Sequence, residues 1–245
     1  MIYINRVNNS IFNNKLSFVI SDFDRTITES GSATSWSIIP SSNLVNPNLK
    51  LESEVLFNKY RKIELNNSMP LNIKARYMEN WALEQINLYN KYNISKYLLN
   101  DIIASNKKLK IRKDFRLFVN KLKNNNIRLY IVSAGIYDVI KYVLLYNDID
   151  LSNIKIISNH LVYSDNIISG IKKDILHSCN KDSISLSIDN NEYGLLFGDQ
   201  VEDILIGNNY NTINIGFMNS NCINYDIVLT NNSSFSNISK ILIKE

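Results

Sequence analysis

The chain has 245 residues, 45% of them hydrophobic, and carries Lys+Arg 27 against Asp+Glu 23 for a net charge of +4. That length allows one elaborated domain or a domain plus a cap, and the scattered positive charge argues against nucleic acid as the partner while suiting a small anion. Cys179 and Cys222 form no metal-ligand spacing, so free thiols in a reducing compartment are expected.

The N-terminal MIYINRVNNS breaks every short apolar run with polar residues. It reads as neither a signal peptide nor a membrane span, and no lipidation motif is found. A cytoplasmic location with no membrane partner is the expectation by absence. Asn is about one residue in six, which reads as compositional drift and not as a functional signal.

The first strong element is residues 16–21, a short apolar run rich in β formers that ends in two aspartates, Asp22 and Asp24. Residues 32–110 then depart from any strand rhythm. A Ser/Asn/Pro-rich loop (SWSIIPSSNLVNPN) leads into segments 51–62, 73–89 and 94–105, all with helical spacing. This stretch is expected to be a helical cap inserted into a core made of residues 1–31 and 111–245. Beyond it, helical patterns at 114–122 (DFRLFVNKL) and 136–145 alternate with apolar runs at 127–132, 154–157, 195–197, 213–217 and 226–229. Strands alternating with helices predict an α/β fold, a doubly wound (Rossmann-like) parallel sheet covered on both faces.

In such sheets ligands sit at the carboxyl ends of the strands. The first strand ends in Asp22-Phe23-Asp24-Arg25-Thr26, the second in Ser133-Ala134-Gly135, and a late one in Gly198-Asp199, followed by Asp203. Asn180-Lys181-Asp182 lies between the last two. On a strand Asp22 and Asp24 share a side, and like charges so placed need a cation, or a proton held on one of them. One reaction employs the whole set: phosphoryl transfer through an aspartyl-phosphate. Asp22 is the carboxylate nucleophile and Asp24 the general acid and base. Mg²⁺ is held by Asp22, the backbone carbonyl of Asp24 and Asp199, with Asp203 acting through water. Ser133, Ala134, Gly135 and Lys181 bind the phosphate.

These segments, DFDRT, VSAG, NKD and GDQVED in that order, resemble the four motifs of the haloacid dehalogenase-like hydrolase superfamily. Within it Asp24 favours a phosphatase or phosphotransferase, since dehalogenases lack an acid there and transport ATPases carry a lysine. A narrower resemblance covers most of the chain. SAGIYDVIKYVL, IKIISNHLVYSDNIISGIKKDILHSCNKD, LLFGDQVEDI, NYDIVLT and, in the insertion, LFNKYRKIELN and YMENWALEQINL are similar to the cytosolic pyrimidine 5′-nucleotidase family. That resemblance implies a helical cap, Mg²⁺, and a small phosphate monoester as substrate, a nucleoside 5′-monophosphate. It also implies a capacity to pass phosphate to a nucleoside acceptor.

The family commonly places a glutamate directly before the cap tryptophan to read the base. Here Trp81 follows Asn80, with Glu79 one place earlier. One helical residue is a rotation of about 100°, so Glu79, Asn80 and Trp81 are the cap candidates and base preference is open. Trp81 also has an ordinary reading as core packing, Ser133 as a helix cap, and His160 and His177 as structural residues. Two rivals share the motifs: a phosphomonoesterase of the phosphoserine phosphatase type, and a non-catalytic nucleotide-binding member.

Overall fold

The computed structural model describes residues 2–5, 15–66, 68–218 and 222–242. Part of the polar N-terminal stretch, residues 6–10, lies outside them. Strand β1 is Ile2–Ile4, and β2 is Leu16–Ser21. Helices α1 (Pro47–Glu64), α2 (Leu71–Lys91) and α3 (Lys96–Ser105) follow, then α4 (Phe115–Asn124), β3 (Arg128–Ile136), α5 (Tyr137–Tyr146) and β4 (Ile154–Asn159). A hairpin of β5 (Leu161–Ser164) and β6 (Ile167–Ile171) precedes β7 (Tyr193–Gly198), α6 (Ile204–Gly207), β8 (Asn211–Phe217), β9 (Ile227–Leu229) and α7 (Phe235–Leu242).

Seven strands form one sheet in the order β1-β9-β8-β7-β2-β3-β4, parallel except for β1. The chain winds outward from β2 through β3 to β4, then returns to the other side of β2 and winds through β7, β8 and β9. The reversal falls between β2 and β7, where such folds open a crevice at the strand ends. Both faces of the sheet are covered, which is why the central strands are apolar throughout. Val19, Leu195 and Phe197 pack with Phe118 and Phe235 on one face, while Phe18, Ile20 and Leu196 pack with Leu186 and Ile206 on the other.

Strand β3 runs on past the expected 127–132 segment. Its register with β4 shifts between Val132 and Ile136, and this irregularity lifts Ser133-Ala134-Gly135 out of the regular ladder, a common device beside active sites. The hairpin β5–β6 was not expected. Its turn pair Asp165 and Asn166 has φ of 49° and 65°, the left-handed pair that a two-residue hairpin requires.

Helices α1 to α3 lie outside the sheet. Asn46 caps α1 by accepting from Asn48 N–H at 2.9 Å, with Pro47 in the first turn. Ser95 caps α3 through Leu98 N–H at 3.1 Å. The two connections to the core run side by side: Thr28 bridges Ile111, and Glu29 N–H donates to Lys110 O at 2.9 Å. The hairpin ties the helices down from the far side. Ile168 N–H donates to Ile94 O at 2.9 Å, and Asn90 Nδ2 donates to Ile168 O at 2.9 Å.

Candidate active site

Asp22 directly follows β2, and its N–H donates to Phe197 O of β7 at 3.0 Å. The crevice therefore opens with a carboxyl between two central strands. Asp22, Asp199 and Asp203 each offer an oxygen, and the three oxygens lie within 4.8 Å of one another. Opposite ligands of an octahedral Mg²⁺ stand about 4.2 Å apart, so one ion is within reach of the set. The donors are hard oxygens with no thiol or imidazole among them, which suits Mg²⁺ over a softer metal.

Lys181 comes in from the 3-10 turn at 181–183. Its Nζ donates to Asp22 Oδ1 and to Asp203 Oδ1, each at 2.6 Å, and all three side chains are buried. Three carboxylates thus face one ammonium, and a divalent cation would balance the two charges left over. Burial pushes the Asp22 carboxyl well above the usual carboxylate range, Lys181 opposes it, and Asp203 and Asp199 add to it. Burial, with the charge of Asp203, pushes Asp199 up to about 6. For Lys181 burial works against the charge, but Asp203 and Asp22 outweigh it and the ammonium is held.

Asp203 is one turn beyond Asp199, and its role is broader than an acid reached through water. While Oδ1 takes Lys181, Oδ2 accepts the N–H groups of Asp199 and Gln200, both at 3.1 Å. It therefore fixes the turn that presents Asp199. Tyr225 O–H donates to Gln200 O and pins the same turn.

Asp24 sits beside this cluster, half-buried, in a loop where Arg25 adopts φ 67°. Ser35 N–H donates to Asp24 Oδ1 at 2.8 Å, and Ser35 Oγ lies 2.7 Å from Oδ2. Burial raises the Asp24 pKa against these two bonds. The hydroxyl can donate to the carboxylate or accept from the carboxylic acid, so Ser35 holds the group in either state. Nothing in the sequence marks Ser35; it lies in a loop and reaches Asp24 only through the fold.

Ser133, Ala134 and Gly135 line the same cleft as the acids. Ser133 Oγ accepts the Gly135 N–H at 3.1 Å, so that expected phosphate donor is already engaged and the Ser133 hydroxyl proton is left to donate elsewhere. A Cβ on Gly135 would fall 2.2 Å from Ser35 Oγ, which is why glycine stands there. Ala134 O accepts from Trp36 Nε1 at 2.9 Å and Asn159 Nδ2 at 2.8 Å, and Asn159 also binds both Leu176 N–H and O. Asn159 thereby joins the Ser133-Ala134-Gly135 segment to the one that carries Lys181, a link with no signature in the sequence.

Above the acids is a cleft of about 530 Å³ walled by α1, α2 and the loop before α1. Met78, Trp81, Ala82 and Gln85 of α2 face it, at helical spacing. Glu79 and Asn80 do not line it and both are exposed: Asn80 is on the side of α2 turned away from the cleft, and Glu79 is at the edge, near enough for its charge to act on His177. Of the three cap candidates only Trp81 belongs to the wall. Its ring stands edge-on to Trp36 at 4.9 Å, and its indole N–H is buried with no partner among the described residues. His177 and Cys179 also line the cleft, and His177 was read as structural only. His160 stacks on Tyr137 at 4.0 Å.

A doubly wound sheet whose switch-point crevice gathers four such segments is the fold of the haloacid dehalogenase-like phosphatases. Solved phosphoserine phosphatases share it, one phospho-aspartyl intermediate analogue with a TM-score of 0.60 at 16% identity over 94% of this chain and 100% of that one. The family model for pyrimidine 5′-nucleotidase (UMPH-1) matches residues 20–244, and the chain belongs to that family. It is an enzyme of the phosphomonoesterase class. The chain is 28% identical to a 7-methylguanosine phosphate-specific 5′-nucleotidase A of Xenopus laevis, over 91% of this chain and 86% of that protein. A Homo sapiens relative of the same description is 25% identical over 91% and 83%. The solved structure of cytosolic 5′-nucleotidase IIIB bound to cytidine superposes with a TM-score of 0.79 at 23% identity, covering 92% of this chain and 84% of that one.

Proposed function

We propose that the chain hydrolyses nucleoside 5′-monophosphates with Mg²⁺ as cofactor, through an aspartyl-phosphate on Asp22. The observation that carries this is the buried Asp22–Lys181–Asp203 cluster, with half-buried Asp199 beside it, at the floor of an aromatic-walled cleft. Asp22, the Asp24 carbonyl and Asp199 would hold the ion, with Asp203 beside them. Bound there, Mg²⁺ supplies charge neutralisation for the phosphoryl group.

The residues then divide the work. An Asp22 oxygen attacks phosphorus as the ester bond to the 5′ oxygen breaks. Asp24 gives its proton to that leaving oxygen, then takes one from the water that attacks the acyl phosphate and frees Asp22. Ser133 orients the phosphate oxygens, and Lys181 holds Asp22 on line. Where a nucleoside hydroxyl replaces the water, the same steps transfer the phosphate.

Residues 32–110 act as the cap over residues 1–31 and 111–245, closing to exclude water. Trp81 and Trp36 give the base an aromatic wall, and the unpartnered Trp81 N–H is a donor left for a ligand. The relatives named for 7-methylguanosine phosphate and the neighbour that binds cytidine support a nucleotide but differ in the base. Glu54 and Glu64 also line the cleft, each paired with a cation of its own helix, Lys50 and Arg61. Among the described residues no helix is long and apolar enough to cross a membrane, and the cytosolic neighbour supports a cytoplasmic location.

The test is a substrate panel with Mg²⁺: CMP, UMP, 7-methylguanosine monophosphate, phosphoserine and sugar phosphates. Nucleotides are expected to lead, EDTA to abolish turnover and excess Mg²⁺ to restore it. Phosphoserine or a sugar phosphate outrunning every nucleotide would overturn the nucleotidase reading in favour of the phosphoserine phosphatase type.

A further inference from the structure

Arg112 is fully built into the core, 3% exposed, yet it is a permanent cation. Its Nε donates to Thr26 O at 2.7 Å, Nη2 to Arg25 O and to Thr28 O at 3.3 Å, and Nη1 to Asn231 O and to Ser233 O at 3.1 Å. A guanidinium has five N–H donors in a fixed fork, and all five end on backbone carbonyls. The guanidinium carbon lies 3.9 Å from the centroid of the Phe217 ring. Burying a cation this way is costly, and three of the five carbonyls belong to the loop immediately after Asp24.

That loop has a defined orientation. Arg25 N–H donates to Thr28 Oγ1 at 2.7 Å. The Asp24–Arg25 peptide is trans, as are the others described, so its N–H and C=O point in opposite directions. Holding the N–H on Thr28 therefore aims the Asp24 carbonyl the other way. Thr28 is held in turn by Arg112 through its carbonyl, and the Arg25 carbonyl by the same Nη2.

We propose that Arg112 is a positioning residue for the metal site: through Arg25 and Thr28 it aims the Asp24 carbonyl that completes the cation's oxygen shell. This rests on the metal reading above. Arg112 also begins the core just after Ile111, so the chain returning from the helices is tied to the loop that carries the nucleophile.

The experiment is calorimetric titration of Mg²⁺ into the full nucleotide-free chain, for wild type, Arg112→Lys, Arg112→Ala, Thr28→Val and Thr28→Ser. Mg²⁺ affinity is expected to fall roughly tenfold or more in the two Arg112 variants and in Thr28→Val, to stay near wild type in Thr28→Ser, and to recover in Arg112→Ala with millimolar guanidinium. In kinetics, kcat falls while KM for the nucleotide holds. Thr28→Val keeps the side-chain shape and every Arg112 bond, so it decides the matter should the Arg112 variants not fold. Mg²⁺ affinity within about twofold of wild type in Thr28→Val, or in any folded Arg112 variant, reduces Arg112 to a structural tie and overturns the proposal. A wild type that takes up no Mg²⁺ overturns the metal reading itself, and this one with it.

Discussion

Asp22 shows how one side chain is made usable by its neighbours. Burial favours its protonated, inert form; Lys181 at 2.6 Å opposes this, and a cation bound between it and Asp199 would restore the carboxylate. Asp22→Asn leaves the shape and the Lys181–Asp203 pair but removes the attacking charge. Steady-state kinetics should show kcat down by about 10³-fold or more, ~4 kcal/mol of barrier; near wild-type turnover would refute the covalent path. Asp199 makes a pH statement. Its folded pKa of about 6 lies above the ordinary 3.8, so the folded state binds the extra proton. In EDTA its contribution to stability is full below pH ~4 and lost as pH rises through ~6. Melting temperatures of wild type should drop relative to Asp199→Asn across that window, and Mg²⁺ should reverse the drop for wild type only. Parallel curves for the two proteins would contradict the assignment.

At the scale of elements, α2 decides what the cleft presents. Met78, Trp81, Ala82 and Gln85 form its inner face, Asn80 is on the outer one, and Glu79 is at the edge between them. Trp81→Ala should raise KM for the preferred nucleotide by roughly 5- to 150-fold, as expected for losing a base-stacking surface worth about 1–3 kcal/mol, while a small aryl phosphate is turned over as before. Glu79→Gln and Asn80→Ala should shift KM by less than about twofold. A large KM effect confined to Glu79 would mean that the cap rearranges on binding. The helical period of 73–89 was plain in the sequence, but its phase toward the cleft was not. Phase depends on which face the hairpin β5–β6 and α1 cover, and both are remote in sequence from the residues that matter.

Across the whole molecule the largest aromatic cluster stands apart from the cleft. Phe115, Phe118, Phe197, Phe217 and Phe235 pack ring to ring beneath the sheet, with centroids of neighbouring rings 4.9–6.2 Å apart. Phe235 is at the centre of that set and 0% exposed. Phe235→Ala should cost about 3–5 kcal/mol in urea denaturation through the cavity left behind, with KM unchanged because the cluster lies outside the cleft wall. A KM shift comparable to that of Trp81→Ala would show that core and cap are not independent.

What the sequence determined by itself was the alternation of strands and helices, the helical insertion after the strand at 16–21, and the four short segments that carry Asp22 and Asp24, Ser133, Lys181, and Asp199 and Asp203. Each of these is a local pattern: period 2 or 3.6 in apolarity, or a short run whose spacing is its meaning. What only the tertiary structure decided was which groups meet. Ser35 on Asp24, Asn159 between Ala134 and Leu176, Asp203 shared between Lys181 and the Asp199 turn, and Arg112 on five carbonyls are all contacts between segments with no sequence signature of partnership. The reason is that a hydrogen bond is specified by distance and direction in space, and a polar side chain in a loop looks the same in sequence whether it faces water or completes a buried site.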